Sequence, residues 1–166
     1  YRMTDSTGLF QHAIVAVPNF HTGYCTDDNA RALILTILLE ELGEDSPRLL
    51  NAATTYAAFI QYAFDPKPKR FRNFMGFNRS WKDETVSEDC CGRALAALGT
   101  CVGRSKNSGF QAVAGQIFAQ ALSPATGFSS PRAWALALIG AHEYLRRITG
   151  DRQVTQVRDA LTELLM

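Results

Sequence analysis

The chain has 166 residues, enough for one sizeable hydrophobic core and too few for two ordinary domains. Hydrophobic residues make up 46% and charged residues 20%, a balance that excludes a largely disordered chain. Seventeen basic against sixteen acidic side chains leave a net charge of +1, which gives no overall attraction to a phosphate backbone or an anionic membrane, so no nucleic-acid partner is expected.

Residues 1–25 are rich in Gly, Thr, Asp and Pro, carry no sustained hydrophobic period and are expected to form an ordered loop. Thr26 is placed to cap a helix that begins with Asp27 and Asp28 and continues through Ala30, Leu33, Ile34, Ile37 and Leu38 to a terminating Gly43. Its apolar run, residues 32–39, is interrupted by Thr36 and falls far short of the roughly 20 residues of a bilayer span, so no membrane span is expected. Pro47 opens a second helix through Leu49, Leu50, Ala53, Tyr56, Ala57 and Ile60 to a break at Asp65-Pro66.

Residues 67–86 interleave basic side chains with Phe71, Phe74, Met75, Phe77 and Trp81. Single-strand stacking uses such a pattern. The basic run is short, however, and Glu84, Glu88 and Asp89 follow it, so an aromatic-pinned loop across the end of the helices is the expectation. Ser87 then caps a third helix with Glu88 and Asp89 in its first turn, and a partner helix follows a turn at residues 105–109. Ser130 and Pro131 start a fifth helix, strongly apolar from Ala133 to Ala141 and ending near Gly150; a sixth runs from about Arg152. The prediction is an all-α fold of three consecutive α-hairpins, with residues 1–166 as a single helical-hairpin domain.

The leading helix of each pair opens with related chemistry: Thr26-Asp27-Asp28, Ser87-Glu88-Asp89 and Ser130-Pro131-Arg132. If these helices are parallel neighbours, Asp27, Asp28, Arg31, Glu88, Asp89, Arg93 and Arg132 gather at one rim. Acids at helix N-termini need no further explanation than the helix dipole, and arginines one turn on can pair with them. The density of polar groups around Tyr24 and Asp28 exceeds what a cap requires. Asp28 and Asp89 are the candidate catalytic pair, able to divide acid and base work on a glycosidic bond. A helix N-terminus and a nearby arginine lower a carboxylate's pKa, which suits Asp28 to the base role and leaves the proton donor to Asp89, Glu88 or a residue outside this chain.

Candidate substrate-binding residues are His12, His21, Tyr24, Asp27, Arg31, Trp81, Glu88, Arg93 and Arg132, with the aromatics, Phe128 included, as faces for a sugar ring. Each also has an ordinary reading as a structural loop or packing residue, and His142 fits helix packing. No zincin spacing, phosphate loop or GxSxG elbow occurs. Cys25, Cys90, Cys91 and Cys101 lack CxxC spacing and companion histidines. The expectation is reduced thiols in a cytoplasmic chain, with no metal and no cofactor.

The strings Gly23-Tyr24-Cys25-Thr26-Asp27-Asp28-Asn29-Ala30-Arg31-Ala32-Leu33, Ser87-Glu88-Asp89 with Gly92-Arg93-Ala94-Leu95, and Ser130-Pro131-Arg132-Ala133-Trp134-Ala135 resemble an incompletely characterised family of six-hairpin glycosidase-like proteins. Members often sit beside, or fused to, glycosyltransferase domains. The resemblance implies an (α/α) toroid with a sugar cleft at one end of the inner helices, of which this chain supplies a fragment or half-toroid of about three hairpins. It departs from the family at Cys90-Cys91, where such proteins look more polar and include a histidine. The implied partners are an oligosaccharide or polysaccharide, a glycosyltransferase domain, and a second copy or the missing half of the toroid. Two functions stay open: glycosidic-bond hydrolysis by carboxylate acid/base catalysis, and a noncatalytic carbohydrate-binding or assembly domain associated with a glycosyltransferase.

Overall fold

The computed structural model describes residues 2–82 and 87–166, so Glu84 and the end of the aromatic-rich loop, as well as Tyr1, lie outside the described residues. The fold is all-α. Six helices pack together: α1 (Thr26–Glu41), α2 (Pro47–Ala63), α3 (Glu88–Arg104), α4 (Ser108–Ala121), α5 (Pro131–Leu145) and α6 (Arg152–Leu165). Several starts follow the expected signals. Ser46, Ser87 and Ser130 each accept the backbone N–H three residues on, and Pro47 and Pro131 occupy first helical positions. Asn107 and Asp151 cap α4 and α6 in the same way.

Two boundaries differ from the sequence expectation. Thr26 is the first residue of α1 and Cys25 is its N-cap, without a side-chain cap bond. The Thr26 hydroxyl instead donates to the Arg72 carbonyl at 2.6 Å, and Asn73 takes over the capping, its Oδ1 accepting the Asp27 N–H at 3.4 Å. A loop remote in sequence thus satisfies a donor that the helix leaves open. The fifth helix stops at Leu145, where Arg146, Arg147 and Ile148 turn back onto the Tyr144 and His142 carbonyls before Asp151 begins α6.

Helix α3 lies between α1 and α5, while α2, α4 and α6 pack on α1, α3 and α5 respectively. Ala30, Leu33, Ile37, Leu95, Leu98, Val102, Phe118, Ala137 and Leu161 share one buried core. The α3–α5 contact is backbone to backbone. A Cβ on Gly99 would stand 2.0 Å from the Gly140 carbonyl oxygen, one on Gly103 2.1 Å from that of Glu143, and one on Gly140 2.4 Å from that of Leu95. Gly92, Gly99 and Gly103 are spaced seven and four apart, so they share the α3 face that receives α5.

Residues before α1 form a layer of short pairings in place of one featureless loop: β1 (Ala13–Ile14) with β2 (Val17–Pro18), and β3 (Tyr24–Cys25) with β6 (Phe74–Met75). A third ribbon joins β4 (Phe64–Asp65) to β5 (Arg70–Phe71) at the end of α2. These set the loops across the N-terminal ends of α1 and α3, as the sequence suggested for the aromatic segment. No helix among the described residues is long and apolar enough to cross a membrane.

Candidate functional site: a carboxylate rim

Cross-helix contacts establish that α1, α3 and α5 run parallel. Asp27 meets Arg93 and Asp89 meets Arg132 at their N-terminal ends, while Arg104 meets both Glu41 and Glu143 at their C-terminal ends. The structure therefore brings Asp27, Asp28, Arg31, Glu88, Asp89, Arg93 and Arg132 to one rim.

The acids of α3 organise the start of α5. Glu88 Oε2 accepts the Ser129 and Ser130 N–H groups, each at 2.8 Å, and the Ser129 hydroxyl at 3.1 Å. Its partial desolvation works against ionisation, but these donors prevail and hold its pKa below the usual glutamate value. Asp89 Oδ1 accepts from the Ser130 hydroxyl at 2.8 Å, and its Oδ2 lies 3.2 Å from Arg132 Nη1. Both side chains thus have fixed geometry.

The acids of α1 are arranged differently. Asp28 is in direct contact with Arg31 Nη2, and Asp27 Oδ2 lies 3.9 Å from that same nitrogen. Asp27 Oδ1 also approaches Arg93 Nε to 2.5 Å, yet both atoms are buried and neither makes an aligned hydrogen bond. The attraction is Coulombic without the directional bond that normally offsets desolvation. Burial accordingly raises the Asp27 pKa; Arg93 and Arg31 oppose that shift, and the charges of Asp28 and Asp89 reinforce it. The carboxyl group with a raised pKa is therefore Asp27. The sequence places Asp27 among the substrate-binding residues and the proton donor at Asp89, Glu88 or outside this chain. Burial of Asp27 at the junction with α3, 66 positions from Arg93 in sequence, is what sets it apart.

The other candidates stand apart. His12 and His21 are exposed in the N-terminal loop, and no hydrogen bond or ion pair joins either imidazole to a rim carboxylate among the described residues. Tyr24 is buried, stacked on Phe10 at 4.9 Å, with its hydroxyl donating to Asp5 at 2.7 Å; burial and then this bond push its pKa up to about 12. Phe128 is buried beneath the Arg70 guanidinium. Neither ring offers a free face. Trp81 is half-buried between Phe59, Tyr62 and the Arg72 guanidinium, and its indole nitrogen is buried without an acceptor. The exposed aromatic in this cluster is Tyr62, on α2, a residue the sequence reading did not name. It lines a cavity of about 340 Å³ with Ser6, Thr7 and Arg79. A second cavity, about 290 Å³, lies at the far end of α1 between Ile37, Glu40, Leu49 and Phe110.

All four cysteines are buried, and none forms a disulfide among the described residues. Burial pushes Cys25 up to about 11 and Cys101 up to about 12, which suppresses the thiolate a nucleophile needs. Among the described residues no group of three or more His, Cys, Asp or Glu side chains is arranged to hold a metal ion. No family model matches the chain, and no curated protein or solved structure matches it either.

Proposed function

We propose that this chain is a carbohydrate-active domain whose rim of carboxylates acts on a glycosidic bond, as its resemblance to the six-hairpin glycosidase-like proteins implies. The observation that carries the reading is the place of Asp27 beside Asp28: burial raises the Asp27 carboxyl even with Arg93 and Arg31 next to it, and Asp28 contacts Arg31. A carboxyl raised by burial suits a proton donor. Asp28 keeps the base or nucleophile role, Asp27 takes the proton donor's, and Asp89, fixed by Ser130 and Arg132, supports the site from α3. Arg31 occupies the space between the two acids, and its half-exposed side chain can swing aside for a sugar. In this reading the three helix pairs are a portion of an (α/α) toroid, the protein is cytoplasmic, and it works alongside a glycosyltransferase domain.

A second reading has its own support. Each of the four rim carboxylates already has an arginine or serine partner within the chain, as a scaffold that binds a saccharide without cleaving it would. Incubation of the full chain with a panel of oligosaccharides separates the two. The enzymatic reading predicts cleaved product by NMR, and a loss of about 100 to 10,000-fold in turnover for Asp28→Asn at nearly unchanged thermal stability. Undiminished turnover in that variant removes Asp28 from the chemistry. Binding of a glycan without product by wild type and variant alike establishes the noncatalytic reading.

A further inference from the structure

Residues 71–73 are tied to three helices at once. The Arg72 N–H donates to the Ala63 carbonyl at the end of α2, and the Arg72 guanidinium is held by Asp65 at 2.8 Å. Toward α1, the Arg72 carbonyl accepts the Thr26 hydroxyl at 2.6 Å and the Asn73 carbonyl accepts the Thr26 N–H at 2.9 Å. The buried Asn73 side chain adds two more ties, its Oδ1 accepting the Cys25 thiol at 3.0 Å and the Asp27 N–H at 3.4 Å. Toward α3, the Phe71 N–H donates to Cys91 Sγ at 3.5 Å, and the Cys90 thiol approaches the Arg72 carbonyl to 3.9 Å. One short strap thus holds the N-cap and first turn of α1 together with the first turn of α3, the two helices that carry Asp27 and Arg93.

We propose that Asn73 is a positioning residue of the rim: it pins the start of α1 so that Asp27 meets Arg93 in an unrelaxed contact, the state in which the carboxyl can keep a proton for donation. With both first turns anchored to the same strap, neither rotates to bring the Arg93 Nε–H into line with Asp27 Oδ1. The two atoms stay 2.5 Å apart, buried and without an aligned bond. An amide suits the task because its one oxygen has two lone pairs, takes both donors and adds no charge beside Asp27. The charged groups facing Asp27 are Arg31 and Asp28 of its own helix and Arg93 and Asp89 of α3, none of which a change at Asn73 alters. The use of Asp27 as a proton donor rests on the carbohydrate reading; its positioning by Asn73 does not.

Carbon-detected NMR titration of the full chain follows the Asp27 carboxyl, with Glu143 at the far end of the helices as an internal control. Wild type is expected to titrate above 3.8 at Asp27. In Asn73→Ala the start of α1 is released, so that Arg93 aligns or water reaches the carboxyl; either brings the Asp27 midpoint down to 3.8 or lower and leaves Glu143 unmoved. Asn73→Ser keeps a polar atom but shortens its reach to the Asp27 N–H, and decides by the same criterion if the alanine variant does not fold. Asn73→Asp keeps the acceptor, and Asp27 should remain above 3.8. A midpoint unchanged from wild type in the folded Asn73→Ala chain, one lowered equally in Asn73→Asp, or a wild-type value already at or below 3.8 overturns the proposal. Turnover of oligosaccharides is scored separately: if wild type cleaves none, the carbohydrate reading fails, and the titration still decides whether Asn73 positions Asp27.

Discussion

The two ends of the α1–α3–α5 layer use the same residue types to opposite effect. At the C-terminal end, Arg104 donates through Nε to Glu143 at 2.6 Å and through Nη2 to the other oxygen at 2.9 Å, with Nη1 on Glu41 at 2.8 Å. This fork holds the Glu143 carboxyl below the usual range, Arg104 being the chief cause. At the N-terminal end Arg93 touches Asp27 at comparable distance but without an aligned bond, and burial raises the Asp27 carboxyl. An arginine beside an acid does not by itself make a relaxed ion pair; the alignment of the donors and the partners of the remaining oxygens decide. The C-terminal end is a clamp, and the N-terminal rim holds an acid whose carboxyl is raised by burial.

The largest effect should come from the contact midway between the two ends. Gly99→Leu drives a side chain into the Gly140 backbone, which cannot yield without parting α3 from α5, so both ends should fail together at a cost of about 3 kcal/mol or more. Urea denaturation measures it, and a loss below about 1 kcal/mol means the ion pairs and not the glycine contact set the helix spacing.

Single substitutions then separate the ends. Glu143→Gln strands part of the Arg104 fork, whose side chains are only 12% and 22% exposed, and should cost about 2 kcal/mol near neutral pH. Asp27→Asn relieves an unfavourably buried charge while giving up a helix-dipole interaction, so its stability should lie within about 0.5 kcal/mol of wild type or above it. The pH dependences have opposite signs. Glu143 has a lowered folded pKa, so its contribution is present above the ordinary value of 4.5 and is lost as pH falls through the folded one. Asp27 has a raised folded pKa, so stability is lost as pH rises from 3.8 through the folded value. Denaturation curves of both variants between pH 3 and pH 7, roughly, should diverge from wild type in those directions.

An effect smaller than that of Glu143→Gln is expected at the edge of the rim. Ser130→Ala removes the α5 cap and the hydroxyl held by Asp89, about 1 kcal/mol, and should leave the C-terminal clamp unchanged as followed by the Glu143 resonance.

Helix positions were legible because local chemistry carries them: Ser87, Ser130-Pro131 and Pro47 announce starts whatever surrounds them. Thr26 misled because its hydroxyl found a better acceptor at Arg72, a contact that no nearby residue signals. The two-residue strands were invisible for a similar reason, since Tyr24 and Cys25 pair with residues some fifty positions away. At the rim the residue types were legible and the partners were not. Equal spacing from the caps suggested Asp28 with Asp89, whereas the arginines align Asp27 with Asp89, and only burial against α3 marks Asp27 as the unusual acid. Tyr62 went unnamed because nothing local to α2 signals an exposed ring beside Trp81.

The most direct test of the contrast between the ends is a carbon-detected NMR titration of the Asp27 and Glu143 carboxyl groups in the intact chain. The structure predicts that Asp27 titrates above 3.8, and that Glu143 titrates below 4.5. An Asp27 value at or below 3.8 would show that Arg93 forms a relaxed pair with it, and the case for Asp27 as a proton donor at the rim would be lost.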